Sequence, residues 1–519
     1  MDFPSSACEF PTTGLCRLLA VGSEFGAGQT FLQSSDGSGL TYAETEEKVC
    51  RAAQWLRANG VEPGDRVALF LANRAEIPIL LFAAARIGAV FVVLNDRLMP
   101  RGLEKVLCQA EARVLIADAS TVERAREADV AIPLRICFDA LPDTWLSGET
   151  LFDAEPLTDP IAIDEDAPVC LVFTSGSTGA PRGVTLTHTN ILFVVEAIQK
   201  RLAYRPGDIV GNFLPLSFDY GLYQVFLCAL SGSSLYLGNP GQVGPRLPRI
   251  LEQEGVTVLP GVPTVYSALI SLHRRRPFDL PRLRAITNTG ERLPLSYIEE
   301  MQRMFPGLDV FVMYGLTECK RVSILLPEEF RERPESVGRA LDGTEAFAVN
   351  DRGDRLPPGS TGQLAVRGPH VAARGYWRSP GETAKRYRRE PDGSVTLLTG
   401  DNGSVDADGF LYFEARADDL IKHRGNRISP IEIETEACAL DGIVEASVLH
   451  DSERDRLLLV ATVSDSAKTA ATILEALGTV LEPAKIPDEV VIRESLPRSM
   501  NGKIDRKALR SLLLPALTS

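Results

Sequence analysis

Residues 171–188 read LVFTSGSTGAPRGVTLTH. An apolar run, Val169 to Phe173, has the composition of a buried strand. It breaks into a loop with hydroxyls at Thr174, Ser175, Ser177 and Thr178 and glycines at Gly176, Gly179 and Gly183. Val184 to Thr187 then reads as a second strand. Glycines allow a close backbone approach to an anion, and successive N–H groups can form an anion-binding nest. Hydroxyls add donors, and Arg182 adds a fixed charge suited to phosphate oxygens. The chemistry suggested is a grip on a polyphosphate. It is not the Walker pattern, since no Gly-Lys-Ser/Thr closes the loop and a strand follows. By glycine spacing alone, a plain Gly/Ser/Thr hairpin turn fits equally well.

Three further stretches carry residue types with chemical potential. YGLTE (314–318) sets a hydroxyl, Thr317, beside a carboxylate, Glu318, after a glycine turn. Hard oxygen ligands of that kind suit Mg²⁺, which needs one or two carboxylates beside phosphates and water. TGD (399–401) offers Asp401, a carboxylate able to accept two hydrogen bonds from the paired hydroxyls of a ribose. PRSMNGKIDRK (497–507) presents Lys503 on a glycine turn near the C-terminus. Each has a plainer reading when taken singly: a solvated helix start, an ordinary Gly-Asp turn, a solvated lysine.

The elements that must position these residues follow a β–α–β rhythm. A helix over 41–58 with a Thr cap leads to strand Arg66–Ala72, helix Glu76–Ile87, strand Ala89–Leu94, helix Gly102–Ala110 and strand Val114–Ala117. After the glycine loop come helix 190–202, strand Ile209–Phe213, helix Gly221–Leu230, strand Ser234–Leu237, helix Pro245–Glu254 and strand Val256–Leu259. This is the order of an α/β fold with doubly wound, mostly parallel sheets. From about residue 335, short strands and Gly/Asp turns predict a β-rich lobe. After residue 415 the pattern predicts a small α+β domain. The expected division is therefore 1–415, binding nucleotide and acid, and 416–519, carrying Lys503.

The chain has 519 residues, too many for one compact core. A net charge of −14 argues against nonspecific nucleic-acid binding and against an anionic membrane surface. The most apolar window, Ile77 to Leu94, is interrupted by Arg86 and Gly88, so no membrane span is expected. The N-terminus lacks the basic-then-apolar pattern of a signal peptide. The 9 cysteines are dispersed, which reads as reduced thiols in a cytoplasmic protein.

In register, these motifs resemble the adenylate-forming superfamily: acyl-CoA synthetases, peptide-synthetase adenylation domains and luciferases. The resemblance runs from about residue 40 to about residue 510 and includes GYWRSPGETAKRY (375–387) and DGFLYFEARADDLIKHRGNRISPIEIE (408–434). It implies an AMP-forming ligase that uses ATP and Mg²⁺. The loop residues Thr174, Ser175, Gly176, Ser177, Thr178, Gly179 and Arg182 would hold the β- and γ-phosphates. Gly290, Glu291 and Arg292, in TGER, match the adenine-edge segment, and Tyr314 the residue stacked on adenine. Thr317 would contact phosphate, Glu318 would hold Mg²⁺, Asp401 would hold the ribose, and Arg416 would make a second ribose or phosphate contact. Lys503 would bind the reacting carboxylate and the bridging oxygen.

Three positions depart from the pattern: Arg182 stands for the usual Lys, Asn402 for a hydrophobe and Ala415 for Gly. The resemblance further implies that the small α+β domain is mobile, with a hinge at Asp418 and a glycine loop ending at Gly425 that lines the path of an acceptor thiol. The thiol would come from CoA or from the phosphopantetheinyl arm of a separate carrier protein.

The acid pocket is the least determined part. In LPLSFDYGLYQ (214–224), Phe218 stands where many acyl-CoA synthetases have His. Asp219 falls where amino-acid-activating domains place the partner of an α-ammonium. A buried carboxylate is costly unless paired; its partner is a substrate ammonium or an internal cation, for which Lys320 and Arg321 qualify. Arg321 could instead reach the acidic side chain of a substrate. With Tyr223 and Gly315, these residues form the expected pocket. The expected substrate is an amino acid or amino-bearing acid. The alternative is an acyl- or aryl-CoA ligase for a non-amino acid. Rival classes are a non-catalytic nucleotide-binding relic and a polyphosphate hydrolase or kinase.

Overall fold

A computed structural model describes residues 13–513, apart from 36, 159–160, 176–180, 417–420, 424–425, 452–453, 455, 465–467 and 500–501; for Ser175, Ala415, Arg416, Lys422, Asn426 and Arg427 it describes the backbone alone.

Two large sheets dominate. The first has seven strands in the order Leu146–Ser147, Leu134–Phe138, Ala112–Asp118, Arg66–Phe70, Val90–Val93, Pro168–Ser175, Pro181–Thr187. All its pairings are parallel except the last, a hairpin in which Thr174 lies opposite Arg182. Alternate residues of its central strands enter different cores. Val67, Leu69 and Phe91 pack on one face, Ala68, Phe70 and Val92 on the other. The sheet is covered on both sides, as parallel sheets are.

The second sheet has nine strands, with Asp309–Tyr314, Ala285–Asn288, Val258–Gly261, Ile209–Asn212 and Ser234–Leu237 at its parallel centre. Its core is continuous with that of the first. Helix Glu76–Arg86 has ten of its 11 residues buried, the mark of a helix enclosed on all sides. Phe82 from this helix and Phe91 both meet Phe226 of helix Asp219–Ser231, with ring centroids 6.1 and 6.5 Å apart.

A five-stranded antiparallel sheet (Glu345–Arg416) follows, matching the predicted β-rich lobe. Beyond it, strands Ile443–Asp451, Arg456–Val463 and Glu489–Arg493 form a three-stranded sheet under helices Pro430–Ala439 and Ala470–Val480. Ile433, Val448, Leu459, Ile473 and Leu477 close a hydrophobic cluster of their own there.

Local chemistry explains most element starts. Thr41 and Glu44 form a capping box at the helix Tyr42–Ala58, and Thr187 with Asn190 does the same for His188–Leu202. Helix Asp219–Ser231 begins two residues before the sequence expectation, so Asp219 occupies its first turn. A carboxylate is favoured there by the helix dipole. Strand Arg66–Phe70 ends two residues early. Among the described residues, the expectation of uniformly reduced thiols fails at Cys50, which is disulfide-bonded, while seven other cysteines are free.

Candidate active site

The strands Ala285–Asn288 and Asp309–Tyr314 run parallel, so the segments that leave them, 289–292 and 315–321, emerge side by side. Gly315 is required by packing, because a Cβ there would lie 2.0 Å from the Lys320 carbonyl oxygen and 2.9 Å from the Arg321 Cα. The turn folds back tightly enough to put Lys320 in the left-handed region (φ 62°). Its side chains then point to different neighbours.

Thr317 donates its hydroxyl to Asp219 Oδ2 at 2.8 Å, and the Lys320 ammonium reaches the same oxygen at 3.2 Å. Burial opposes the charge on Asp219, but Lys320, the Thr317 hydroxyl and Arg321 together hold its carboxyl below the usual range. The cation that Asp219 requires is thus present in the protein. Lys320 also sits 4.9 Å from the Tyr223 ring centroid, and the buried Tyr223 hydroxyl has no hydrogen-bond partner.

Arg321 is 6% exposed. It donates to the Thr289 hydroxyl and lies 5.5 Å from the Tyr220 ring centroid, while its Nε is buried without a partner. Among the described residues no carboxylate lies within ion-pair distance of it. Burial pulls its pKa below the ordinary value. Asp219, Lys320 and Arg321 therefore leave a buried pocket with one uncompensated positive charge.

Lys503 arrives from the C-terminal unit. Its turn is closed by the Ser499 N–H to Lys503 carbonyl bond at 2.7 Å. The ammonium donates to the Gly290 carbonyl at 2.9 Å and lies 5.7 Å from the Phe218 ring centroid. Gly290 has φ 89°, and a Cβ there would stand 3.1 Å from Lys503 Cε. Phe218, Asp219, Tyr223, Gly315, Lys320, Arg321 and Lys503 all line one cavity of about 90 Å³. All the predicted pocket residues are thus brought together with the predicted lysine.

Tyr314 donates its hydroxyl to Asp401 Oδ2 at 2.7 Å, which brings together two motifs 87 positions apart. Glu318 accepts a hydrogen bond from the Tyr376 hydroxyl at 2.6 Å. Arg182 pairs with Glu382 at 2.7 Å, with its guanidinium 5.7 Å from the Tyr376 ring centroid. Arg292 points to Glu335 at 3.4 Å. Glu291 faces the C-terminal unit: burial raises its carboxyl above the usual range, and Lys503, Arg498 and Arg506 oppose that shift. Gly176, Ser177, Thr178, Gly179, Asp418 and Gly425 lie outside the described residues, as do the side chains of Ser175 and Arg416. Cys319 is fully buried with its thiol pKa raised by burial, so it is core and not a nucleophile. Tyr376 and Glu382 were not singled out from sequence, although both lie in the quoted segment 375–387.

Glu318 supplies a hard oxygen, and among the described residues no group of three or more His, Cys, Asp or Glu could hold a metal. A single carboxylate of this kind fits Mg²⁺, which takes its other ligands from phosphates and water.

Residues 23–377 match the family described as AMP-binding enzyme, so the chain belongs to that family and to the adenylate-forming superfamily. It is an adenylating, AMP-forming ligase. Feruloyl-CoA synthase from Amycolatopsis sp is 33% identical over 483 residues, covering 91% of this chain and 94% of that protein. Delta-poly-L-ornithine synthetase from Acinetobacter baumannii is 30% identical over 91% of this chain, but the chain spans only 35% of its length. Among solved structures, VinN in complex with L-aspartate is 35% identical, with a TM-score of 0.69, over 77% of this chain and 98% of that one. No helix among the described residues is long and apolar enough to cross a membrane.

Proposed function

We propose that this enzyme adenylates a small carboxylic acid bearing an amino group and a second acidic group, then passes the acyl group to a thiol. The observation that carries the reading is the cavity in which Asp219, Lys320 and Arg321 share a wall with Lys503. A substrate ammonium would add to the open side of the Asp219 carboxylate. The second acidic group would neutralise Arg321, the buried cation with no carboxylate of its own. A VinN complex holding L-aspartate, an acid of that class, supports the assignment.

In the first half-reaction the substrate's carboxylate oxygen attacks the α-phosphorus of ATP. The new O–P bond forms as the bond to pyrophosphate breaks, giving acyl-AMP. No protein nucleophile is needed. Lys503, close to the cavity mouth at Gly290, would stabilise charge on the attacking and bridging oxygens, a large effect in a dry site. The hairpin from Thr174 to Arg182 would hold the phosphates, with Gly290, Glu291, Arg292 and Tyr314 around adenine and Asp401 and Arg416 on the ribose. Glu318 would hold Mg²⁺, which when bound neutralises phosphate charge. Thr317 would act through Asp219 as well as on phosphate, since its hydroxyl is already committed there.

In the second half-reaction a thiolate displaces AMP. Its source would be CoA or a carrier protein, entering past Gly425 after residues 416–519 rotate on 1–415 about Asp418. We place this chemistry in the cytoplasm, where ATP and the acceptor are available.

One observation favours a second reading. Lys320 already neutralises Asp219, as it would in a CoA ligase acting on an acid without an amine, the class to which feruloyl-CoA synthase belongs by name. Acid-dependent exchange of pyrophosphate into ATP separates the two. The proposal expects the highest kcat/KM with a small amino dicarboxylic acid. A best substrate that lacks an amine would select the second reading.

A further inference from the structure

Tyr376 belongs to no site residue set described above, yet it touches two of the nucleotide motifs, the phosphate hairpin and YGLTE. It is 3% exposed. Its backbone lies along the second strand of the phosphate hairpin: Tyr376 bridges Val184, the Trp377 N–H bonds the Gly183 carbonyl at 2.7 Å, and the Thr185 N–H bonds the Gly375 carbonyl at 3.0 Å. Its ring lies under the Arg182 guanidinium and meets the Tyr387 ring edge-on, with centroids 5.8 Å apart. Its hydroxyl donates to Glu318 Oε1 at 2.6 Å. The Glu318 main chain is tied to the same segment, since its carbonyl accepts the Ala372 N–H at 2.9 Å.

We infer that Tyr376 is a positioning residue that orients the Glu318 carboxylate for a divalent ion and holds it in register with the phosphate hairpin. The inference rests on the reading of Glu318 as the Mg²⁺ carboxylate. A carboxylate on a turn can rotate about its side-chain bonds. A buried hydroxyl anchored to a neighbouring strand fixes one oxygen by hydrogen bonding and leaves the other to face the ion. Such outer partners of metal ligands are typically worth about 10–100-fold in metal affinity. Because the anchor is the strand that carries Arg182, the carboxylate and the phosphate-facing cation are set by one rigid piece of backbone.

Tyr376→Phe removes the hydroxyl and keeps the ring under Arg182. Tyr387→Phe is the control: that hydroxyl is also buried, but it has no hydrogen-bond partner. Mn²⁺ binding is measured by electron paramagnetic resonance in the presence of α,β-methylene-ATP, with no acid present. Tyr376→Phe should weaken Mn²⁺ binding by about 10–100-fold, and Tyr387→Phe should leave it unchanged. In pyrophosphate exchange, the Mg²⁺ concentration for half-maximal rate should rise by a similar factor, with most of kcat recovered at saturating Mg²⁺. Glu318→Gln separates the two levels of the argument. If it weakens Mn²⁺ binding while Tyr376→Phe does not, the role of Tyr376 is overturned and that of Glu318 stands. If Glu318→Gln itself binds Mn²⁺ normally, the reading of Glu318 fails. Equal weakening by Tyr376→Phe and Tyr387→Phe would assign the effect to packing and overturn the inference.

Discussion

Replacing Arg321 with Met should stabilise the empty protein and damage its use of one class of substrate. Arg321 is buried with one hydrogen bond to Thr289, a contact with Tyr220 and an unpartnered Nε. Exchanging buried ions for apolar side chains is often neutral or stabilising by about 1–4 kcal/mol. Because Thr289 and Tyr220 already satisfy part of the guanidinium, the low end applies, about 1 kcal/mol. For a chain of this size that is a rise in Tm of roughly 1–2 °C. Met is unbranched and flexible enough to follow the same channel. The substrate side has the opposite sign. Removing one partner of a desolvated charge pair costs about 2–5 kcal/mol, which is roughly a 30- to 4,000-fold loss of kcat/KM. The assay compares an amino dicarboxylic acid with its side-chain amide in pyrophosphate exchange, alongside calorimetry of the ligand-free protein. Arg321→Met should lose most of the preference for the dicarboxylate while melting no lower than wild type. A variant that melts several degrees lower and loses both substrates equally would make Arg321 a structural cation and refute the reasoning.

Lys503→Ala should reduce adenylation by at least about 10²–10³-fold and spare thioester formation from supplied acyl-adenylate; equal loss of both steps in quenched flow would contradict its assignment. Arg182→Lys should be mild, whereas Arg182→Ala should raise the KM for ATP, and unchanged ATP kinetics in the Ala variant would reduce Arg182 to a partner of Glu382. His370 is fully buried, stacked on Phe193 with no partner for either ring nitrogen, and burial lowers its pKa to about 4. The unfolded chain takes up a proton near the ordinary value of 6.5 and the folded one does not, so this contribution is complete above pH 6.5 and is lost as pH falls towards 4. His370→Phe should flatten the decline of unfolding free energy between pH 6.5 and 4 in urea titrations, leaving the share of His188, whose pKa is also lowered to about 4; an unaltered slope would show that His370 does not titrate in that window.

The alternation of strands and helices was legible because a parallel sheet buried on both faces leaves near-continuous apolar runs, as in Val90–Val93. The pairing of Asp219 was legible in part, since a buried carboxylate demands a cation and Lys320 was within reach in sequence terms. What sequence could not distinguish was the use of short polar groups. The Thr317 hydroxyl donates to Asp219, a contact that sequence does not reveal, because where the turn points it depends on Gly315 and on packing against the neighbouring strand. Asp219 itself was placed before its helix, since Phe218 offers no capping chemistry to mark the start. Tyr376 and Glu382 escaped notice for a related reason. Their partners, Glu318 and Arg182, are 58 and 200 positions away, and neither Tyr nor Glu carries a local signature of such contacts.

One turn, 315–321, carries contacts to both Asp219 and Tyr376. Tyr314 ends a strand inside the nine-stranded sheet and reaches Asp401. Glu318 reaches Tyr376, whereas Thr317, Lys320 and Arg321 line the cavity with Asp219. Ligands of open α/β sheets bind outside the carboxyl ends of the strands. Asp309–Tyr314 and Ala285–Asn288 deliver 315–321 and 289–292 to that edge in parallel, and Arg321 and Thr289 connect them. A buried cation without a carboxylate partner is costly to hold in a loop, and Arg321 is held between two strand ends that cannot move apart without breaking the sheet. Lys503 closes on the same edge through the Gly290 carbonyl. The cations at 320, 321 and 503 thus line one cavity, the volume in which the proposed acid would sit.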